Sequence, residues 1–289
     1  MILTEEEKDS HIIEAVGRSR IVIRDGKVTE VSESRIRECP LAKRFAYPVG
    51  EISPGEVKAN IEHRMGSFGM CRPDRKVCGR VDFVGFGASE LISAGILSGF
   101  LDAAVLACDG AGTVVVWNPE LVQGVGGRMS GLVQTSPFQE AMDRIEAQGG
   151  MILDKGTARI DQAAGVALAI QSGRPRVAVT VALAEDAVRI RECHPDALII
   201  GVHLTATSQE DAERLVSVAD IVTGCASRWI WELGGARACL QAGTSVPVFA
   251  LTPRGKKLIL LKIERMDRPV LVSGGKLPVY GPETPRPLV

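Results

Sequence analysis

Two groups of residues in this 289-residue chain could do chemistry on a small molecule: seven cysteines, and a glycine run that carries one arginine and one serine. The run is Gly124-Val125-Gly126-Gly127-Arg128-Met129-Ser130-Gly131. Glycine lets a backbone approach a ligand closely, and successive N–H groups in such a loop can form a concavity for an anion. The planar guanidinium of Arg128 would add a fixed fork for phosphate or carboxylate. Asp109-Gly110-Ala111-Gly112-Thr113, which follows the apolar run Ala103–Cys108, reads as the facing wall. The expected cofactor-binding set is therefore Asp109, Gly110, Gly112, Thr113, Gly124, Gly126, Gly127, Arg128 and Ser130. A solvated surface loop and a plain connection between strands are the competing readings.

Among the thiols, Cys71 sits in Phe68-Gly69-Met70-Cys71-Arg72-Pro73, with Arg72, Arg75 and Lys76 around it. Nearby cations lower a thiol's pKa and raise the thiolate fraction that a nucleophile or metal ligand needs. Cys71, with Cys39 in the basic stretch before it, is the expected carrier of sulfur or redox chemistry. Convergence of Cys39, Cys71 and Cys78 on a metal or an iron–sulfur cluster is kept as an alternative, although no C-x-x-C or zinc spacing is present. Structural thiols are the plainest reading, because free cysteine is commonly buried. Cys225, just past a strand end, is a secondary candidate. His203 could serve as a general base, with no partner identifiable from the sequence.

The elements that would position these groups alternate strand and helix. Asp25-Gly26 marks a hairpin between Arg20–Arg24 and Lys27–Val31. Ser53-Pro54-Gly55-Glu56 starts a helix that should run to about Met65 and stop at Gly66. Strands are expected at Val81–Val84, Asp102–Cys108, Thr113–Trp117, Arg176–Val181, Ala197–His203 and Asp220–Thr223. Helices are expected at Glu90–Ser98, Pro137–Ala147, Ile160–Gln171, Glu185–Cys193, Gln209–Val218 and Trp229–Gln241. Val246–Leu251 and Lys257–Ile263 read as a hairpin across Thr252–Gly255. Gly85-Phe86-Gly87-Ala88-Ser89-Glu90 has Glu90 where a dinucleotide fingerprint needs its third glycine, so it reads as a tight strand-to-helix turn.

The pattern predicts an α/β fold: a mostly parallel sheet with flanking helices, plus an N-terminal hairpin region. Three parts are expected, or one continuous domain: residues 1–80 with the hairpin and cysteines, 81–150 with the glycine-rich loops, and 151–289 with a second α/β part and tail. Parallel strands of this kind place ligands at their carboxyl ends. Hydrophobic residues make up 45% and aromatics only 4%, so aliphatic side chains must fill the core. Lys and Arg number 34 against 35 Asp and Glu, which favours neither nucleic acid nor a membrane surface. No spanning segment and no basic, apolar leader is legible at the start, so a cytoplasmic location with reduced thiols is expected.

The chain resembles the methanogenesis marker protein 8 family. The likeness rests on Cys39-Pro40-Leu41, Phe68-Gly69-Met70-Cys71, Cys108-x-Gly110-Ala111-Gly112-Thr113, Glu120-Leu121-Val122-Gln123-Gly124 and Gly126-Gly127-Arg128. It continues through Ile160-Asp161-Gln162, Val177–Ala187 and Pro247-Val248-Phe249-Ala250-Leu251-Thr252. It implies a cytoplasmic protein of anaerobic one-carbon metabolism and brings no settled catalytic residues. From Ala88 to Pro137 the chain is also similar to the beta subunits of deazaflavin-reducing hydrogenases, which bind a flavin and the deazaflavin coenzyme. It departs from them in lacking clustered ferredoxin-type cysteines, and in having Met129 where an aromatic is expected.

The expected function is an accessory role in methanogenesis, binding a small anionic cofactor or precursor at the glycine-rich loops with cysteine-based sulfur or redox chemistry. A flavin- or deazaflavin-dependent oxidoreductase subunit is the first alternative. A non-catalytic assembly factor for a partner enzyme of methanogenesis is the second.

Overall fold

A computed structural model describes residues 9–79, 82, 84–129 and 131–289. The strands are β1 Ser10–Ala15, β2 Ser19–Arg24, β3 Lys27–Val31, β4 Ala103–Cys108, β5 Gly112–Val116, β6 Leu132–Gln134, β7 Gly150–Ile152, β8 Val177–Val181, β9 Leu198–Gly201, β10 Ile221–Thr223, β11 Leu240–Ala242 and β12 Val248–Ala250. The helices are α1 Pro54–Phe68, α2 Ala88–Leu97, α3 Pro119–Val125, α4 Gln139–Ala147, α5 Gln162–Gln171, α6 Ala184–Cys193, α7 Gln209–Val218, α8 Gly235–Arg237 and α9 Pro253–Glu264.

Eight strands form one sheet in the order β11-β12-β10-β9-β8-β4-β5-β7. Its central four, β10, β9, β8 and β4, pair in parallel, and antiparallel strands close both edges. The α/β reading therefore holds. Because side chains alternate along a strand, each strand feeds two cores. Ala104, Leu106, Leu198, Ile200 and Ile221 pack with Leu91 and Ile92 of α2, Leu121 and Val122 of α3, and Leu258 and Ile259 of α9. On the opposite face Val105, Val177, Val179 and Ile199 pack with Val166 of α5, Ile190 of α6 and Leu215 of α7.

The second sheet is antiparallel, ordered β3-β2-β1-β6, and α1 covers it through Val57, Ile61 and Met65. Asp25 and Gly26 both take positive φ in the β2–β3 turn, as the hairpin reading requires. The partner on the other edge is unexpected. β6, from residues 132–134, leaves the α/β layer to pair with β1, Ile13 opposite Leu132.

Four expectations are corrected. Helix α1 passes through Gly66 and stops at Gly69, whose left-handed φ of 74° ends it. Lys257–Ile263 is helix α9 and not a strand: Thr252 accepts from the Gly255 N–H, and Pro253 occupies the first turn. The helix expected over Trp229–Gln241 is a short π segment at Ile230–Gly234 followed by α8, and then the chain pairs as β11. The loop expected at Gly124–Gly131 begins inside α3, which is capped by the Asn118 side chain. The strand expected at Val81–Val84 includes positions 81 and 83, which lie outside the described residues, and neither Asp82 nor Val84 belongs to a strand.

Gly124 is small because of packing. A Cβ there would lie 2.0 Å from the Val77 carbonyl oxygen, whereas one on Gly66 would meet nothing within 4 Å. Gly124→Ala is expected to cost about 3 kcal/mol or more through overpacking against backbone. Gly66→Ala is expected to stabilise by about 0.5–1 kcal/mol, since alanine suits a helix interior better. Denaturant titration of both variants checks the pair; equal midpoints would contradict it.

Candidate functional site

A cleft of about 860 Å³ opens at the carboxyl ends of β4, β8, β9 and β10, between the large sheet and the antiparallel one. Leu106 and Ala107 of β4 line it, with Thr180 and Val181 of β8 and the following Ala182, Val202 and His203 just after β9, Thr223 at the end of β10 and Cys225 just beyond. The start of α2 supplies Gly85 to Glu90. The N-terminal sheet contributes Glu14 on β1 and Arg18 just after it, with Gly131 and Val133 around β6. The volume suits a cofactor-sized molecule, and the position is where open parallel sheets bind ligands.

Its polar centre is a dyad. His203 Nε2 lies 3.2 Å from Glu14 Oε2, and Arg18 Nε donates to the same oxygen at 3.0 Å. Arg18 Nη1 also donates to the Thr205 carbonyl at 2.7 Å, so the guanidinium is fixed at two points. The His203 side chain is 9% exposed. The hydrogen bond from His203, aided by Arg18, holds the Glu14 carboxyl below its ordinary pKa despite partial burial. With Nε2 donating to an ionised carboxylate, Nδ1 is the free acceptor nitrogen, and it has no partner among the described residues.

Cys225 stands beside this dyad. Its Sγ is 3.3 Å from Thr223 Oγ1. Burial pushes the thiol pKa up, opposed by the Thr223 hydroxyl and the backbone N–H groups of Leu204 and His203. Arg18, His203 and Cys225 all take left-handed φ, at 66°, 58° and 41°. Such conformations cost of order 1–3 kcal/mol each in non-glycine residues and gather at functional sites. Gly131 packs so tightly on His203 that a Cβ would sit 2.5 Å from Nε2.

The other charges are unevenly placed. Asp186, on the β8 side, has its carboxyl pKa raised by burial first, with Asp161 and Glu185 adding to the effect. Glu90 folds back over the α2 start and accepts from the Val84 N–H at 3.1 Å, so this turn already holds an anion of its own. Arg44 and Arg268 reach the cleft with no carboxylate partner among the described residues.

The predicted site residues divide. Gly126 and Gly127 line the cleft. Their N–H groups, however, donate to Val122 and Gln123 carbonyls in the last turn of α3 and are not free for an anion. Arg128 turns away: it stacks 5.0 Å from the Phe68 ring centre and donates to the Lys76 carbonyl. Gly124 is buried within α3, and Ser130 lies outside the described residues.

Asp109, Gly110, Gly112 and Thr113 are buried at the β4–β5 turn, away from the cleft. Gly110 donates its N–H to Thr135 Oγ1, and Gly112 packs on the Ala158 carbonyl. Thr113 Oγ1 is 2.8 Å from Gln162 Oε1 and so orients a cleft residue from behind.

The cysteines are corrected most. Cys71 is fully buried, and burial with the neighbouring Asp109 charge raises its pKa strongly. The cation that would have activated it, Arg75, is paired with Asp109 at 2.9 Å. Cys39 is half-buried against the N-terminal core with its pKa raised by burial, and Cys78 packs beside the main core. Among the described residues no group of three or more His, Cys, Asp or Glu side chains forms a metal site, so Cys39, Cys71 and Cys78 do not converge. Also among the described residues, no helix is long and apolar enough to cross a membrane.

The family described as "Uncharacterized protein conserved in archaea (DUF2099)" matches residues 11–264, and this chain belongs to it. An uncharacterized protein of Methanocaldococcus jannaschii, MJ0054, is 39% identical over 284 residues, covering 97% of this chain and all of the relative.

Two outcomes follow from the geometry. With native protein and iodoacetamide, exposed Cys193 and Cys239 should be alkylated first, half-buried Cys39, Cys78 and Cys225 more slowly, and Cys71 and Cys108 only after unfolding. Peptide mapping over time reads that order, and rapid labelling of Cys71 would contradict it. Because the folded pKa of Glu14 is depressed, its contribution to stability is complete above its ordinary pKa, about 4.3, and fades as pH falls below it. The gap in melting temperature between wild type and Glu14→Gln should therefore be widest near neutrality and narrow as the pH falls below about 4.3.

Proposed function

We propose that this member of the archaeal family binds a cofactor-sized ligand, with an apolar body and an anionic end, in the cleft at the parallel-strand ends, and exchanges a proton with it through His203. The observation that carries this reading is the convergence of Arg18, His203 and Cys225, three strained residues from three distant segments, on one cavity. Left-handed non-glycine backbone carries strain and gathers at binding and catalytic sites. Glycine and aliphatic walls suit a flat apolar body, and a few polar groups suffice to orient it.

His203 is built as a base. Glu14 fixes its tautomer and ring, leaving Nδ1 to accept a proton, and the resulting imidazolium would face an already ionised carboxylate. Asp186, whose pKa is moved the opposite way, is suited to return a proton from the other wall. Arg44 and Arg268 take the anion-holding role that the sequence suggested for Arg128.

The resemblance to the methanogenesis marker protein 8 family supports a setting in anaerobic one-carbon metabolism. The likeness of residues 88–137 to deazaflavin-reducing subunits supports a flavin or deazaflavin as the ligand, because Ser89, Leu106, Ala107, Gly126, Gly127 and Gly131 of that segment stand on the cleft wall. Either coenzyme would supply hydride chemistry when bound. The chain's own part is to hold, shield and deprotonate.

The test is titration of anaerobically purified protein with flavin mononucleotide and with the deazaflavin coenzyme, followed by absorbance, beside native mass spectrometry of whatever the protein already carries. Ala182→Trp fills the cleft from a half-buried loop position and should weaken binding at least tenfold without lowering the melting temperature. Arg44→Ala with Arg268→Ala should weaken it by a similar factor, while His203→Gln should leave binding intact and abolish turnover. Equal ligand retention by wild type and Ala182→Trp would remove the cleft from consideration.

A further inference from the structure

The segment after α9 has an unusual surface. Residues 267–276 are exposed without interruption, form no regular structure and make no hydrogen bond to the rest of the described chain. Within them Val270, Leu271 and Val272 are consecutive apolar residues, and Leu271 is 92% exposed. Three adjacent aliphatic side chains in water are unfavourable, and such surface usually has a use.

Its two ends both rest on the cleft. At one end Arg268 lies across Gly85, close enough that a Cβ there would meet its guanidinium at 2.2 Å. At the other, the Gly281 N–H donates to the Thr244 carbonyl, and Tyr280 stacks on Trp231 with ring centres 5.0 Å apart. Gly85, Thr244 and Arg268 all line the cleft. The eight residues between Arg268 and Leu277 could reach roughly 26 Å if extended, ample for a cavity of this size. Gly274 and Gly275 have nothing within 4 Å of a built Cβ, so no neighbour packs against the backbone there.

A matching apolar surface lies on the rim. Leu183, ahead of α6, is 56% exposed, and Val133, on β6, is 51% exposed; both line the cleft. We propose that residues 269–276 are a lid that swings on Arg268 and Gly274-Gly275, laying Leu271 and Val272 on Leu183 and Val133 to seal the cleft from water. Closure removes two unfavourable exposed surfaces together and gives a proton-transfer site the dry surroundings that strengthen its electrostatics. The open form described here is the one that admits a ligand. This inference rests on the cleft being a ligand site, and its test is chosen to read closure with no ligand present.

Full-length protein carrying Leu183→Cys and Leu271→Cys, with the exposed Cys193 and Cys239 changed to serine, is treated with copper–phenanthroline in air. The reagent oxidises two thiols to one disulfide and passes the electrons to dioxygen. The control pairs Leu271→Cys with Leu97→Cys; Leu97 is as exposed as Leu183 but ends α2 about 15 Å from the cleft end of that helix. A 183–271 cross-link forming at least tenfold faster than the control, mapped by peptide mass spectrometry, supports the lid. Equal rates for the two pairs overturn it, whether or not flavin or deazaflavin titration shows binding. A second reading adds Leu271→Asp and Val272→Asp to the native chain. Unchanged melting temperature with faster release of a retained ligand supports the lid, and unchanged release counts against it.

Discussion

The arrangement depends on one buried ion pair. Arg75, in the segment after α1, and Asp109, at the end of β4, are both fully shielded from solvent and meet at 2.9 Å. The arginine fork is also used in full: Nη1 donates to the Lys76 carbonyl, Nη2 to the Gly124 carbonyl, and Phe68 lies under the guanidinium. Asp109 in turn accepts the Cys71 N–H at 2.6 Å. Removing either partner would strand a charge in the interior, at about 3–5 kcal/mol, a large share of any domain's stability. The pair therefore pins the N-terminal layer to the large sheet at one point. With the β1–β6 pairing and the Glu14–His203 and Arg18–Thr205 contacts, it holds the end of β1 against the end of β9.

Given that anchorage, the cleft follows from geometry. Parallel strands end together, and the turn after β1 crosses in front of them. Glu14 and Arg18 straddle a turn in which Val16, Gly17 and Arg18 all take positive φ, a tight fold-back that brings the carboxylate and guanidinium to one side. His203 and Cys225 are likewise forced by left-handed backbone to point out of their strand ends. The hydrogen-bonded sheets on either side hold these conformations in place. The polar cluster is thus assembled by backbone, with side-chain rotamers adding only the final direction.

Much of the scaffold was legible from residue pattern, because it depends on local rules. The Asp25-Gly26 turn, the Ser53 cap and the strands feeding the parallel sheet each carry their cause within a few residues. Most of the corrections have a distant cause. Leu258 to Ile263 is the exception: it is apolar enough for a strand or a helix, and the adjacent Thr252 cap with Pro253 in the first turn starts a helix that then packs on α2. The glycines of 124–127 suggested a ligand, but a carbonyl 47 positions earlier explains Gly124. Cys71 looked activated by cations, and the carboxylate that neutralises Arg75 lies 34 positions away. His203 lacked a visible partner because Glu14 is 189 residues from it. The last three are pairings across the chain that periodicity cannot encode.

The pairing of β6 with β1 bears on how the protein is made. The amino-terminal hairpin emerges from the ribosome long before residues 132–134 exist, yet those residues complete its sheet. Until then β1 offers an unpaired edge, a known template for aggregation. Contacts of such long sequence separation also slow folding, so the nascent chain must keep that edge harmless for the synthesis of about a hundred residues. An amino-terminal fragment ending near residue 80 would retain the vulnerable edge and lack the strand that covers it. Cutting the gene there is a poor way to obtain a stable piece.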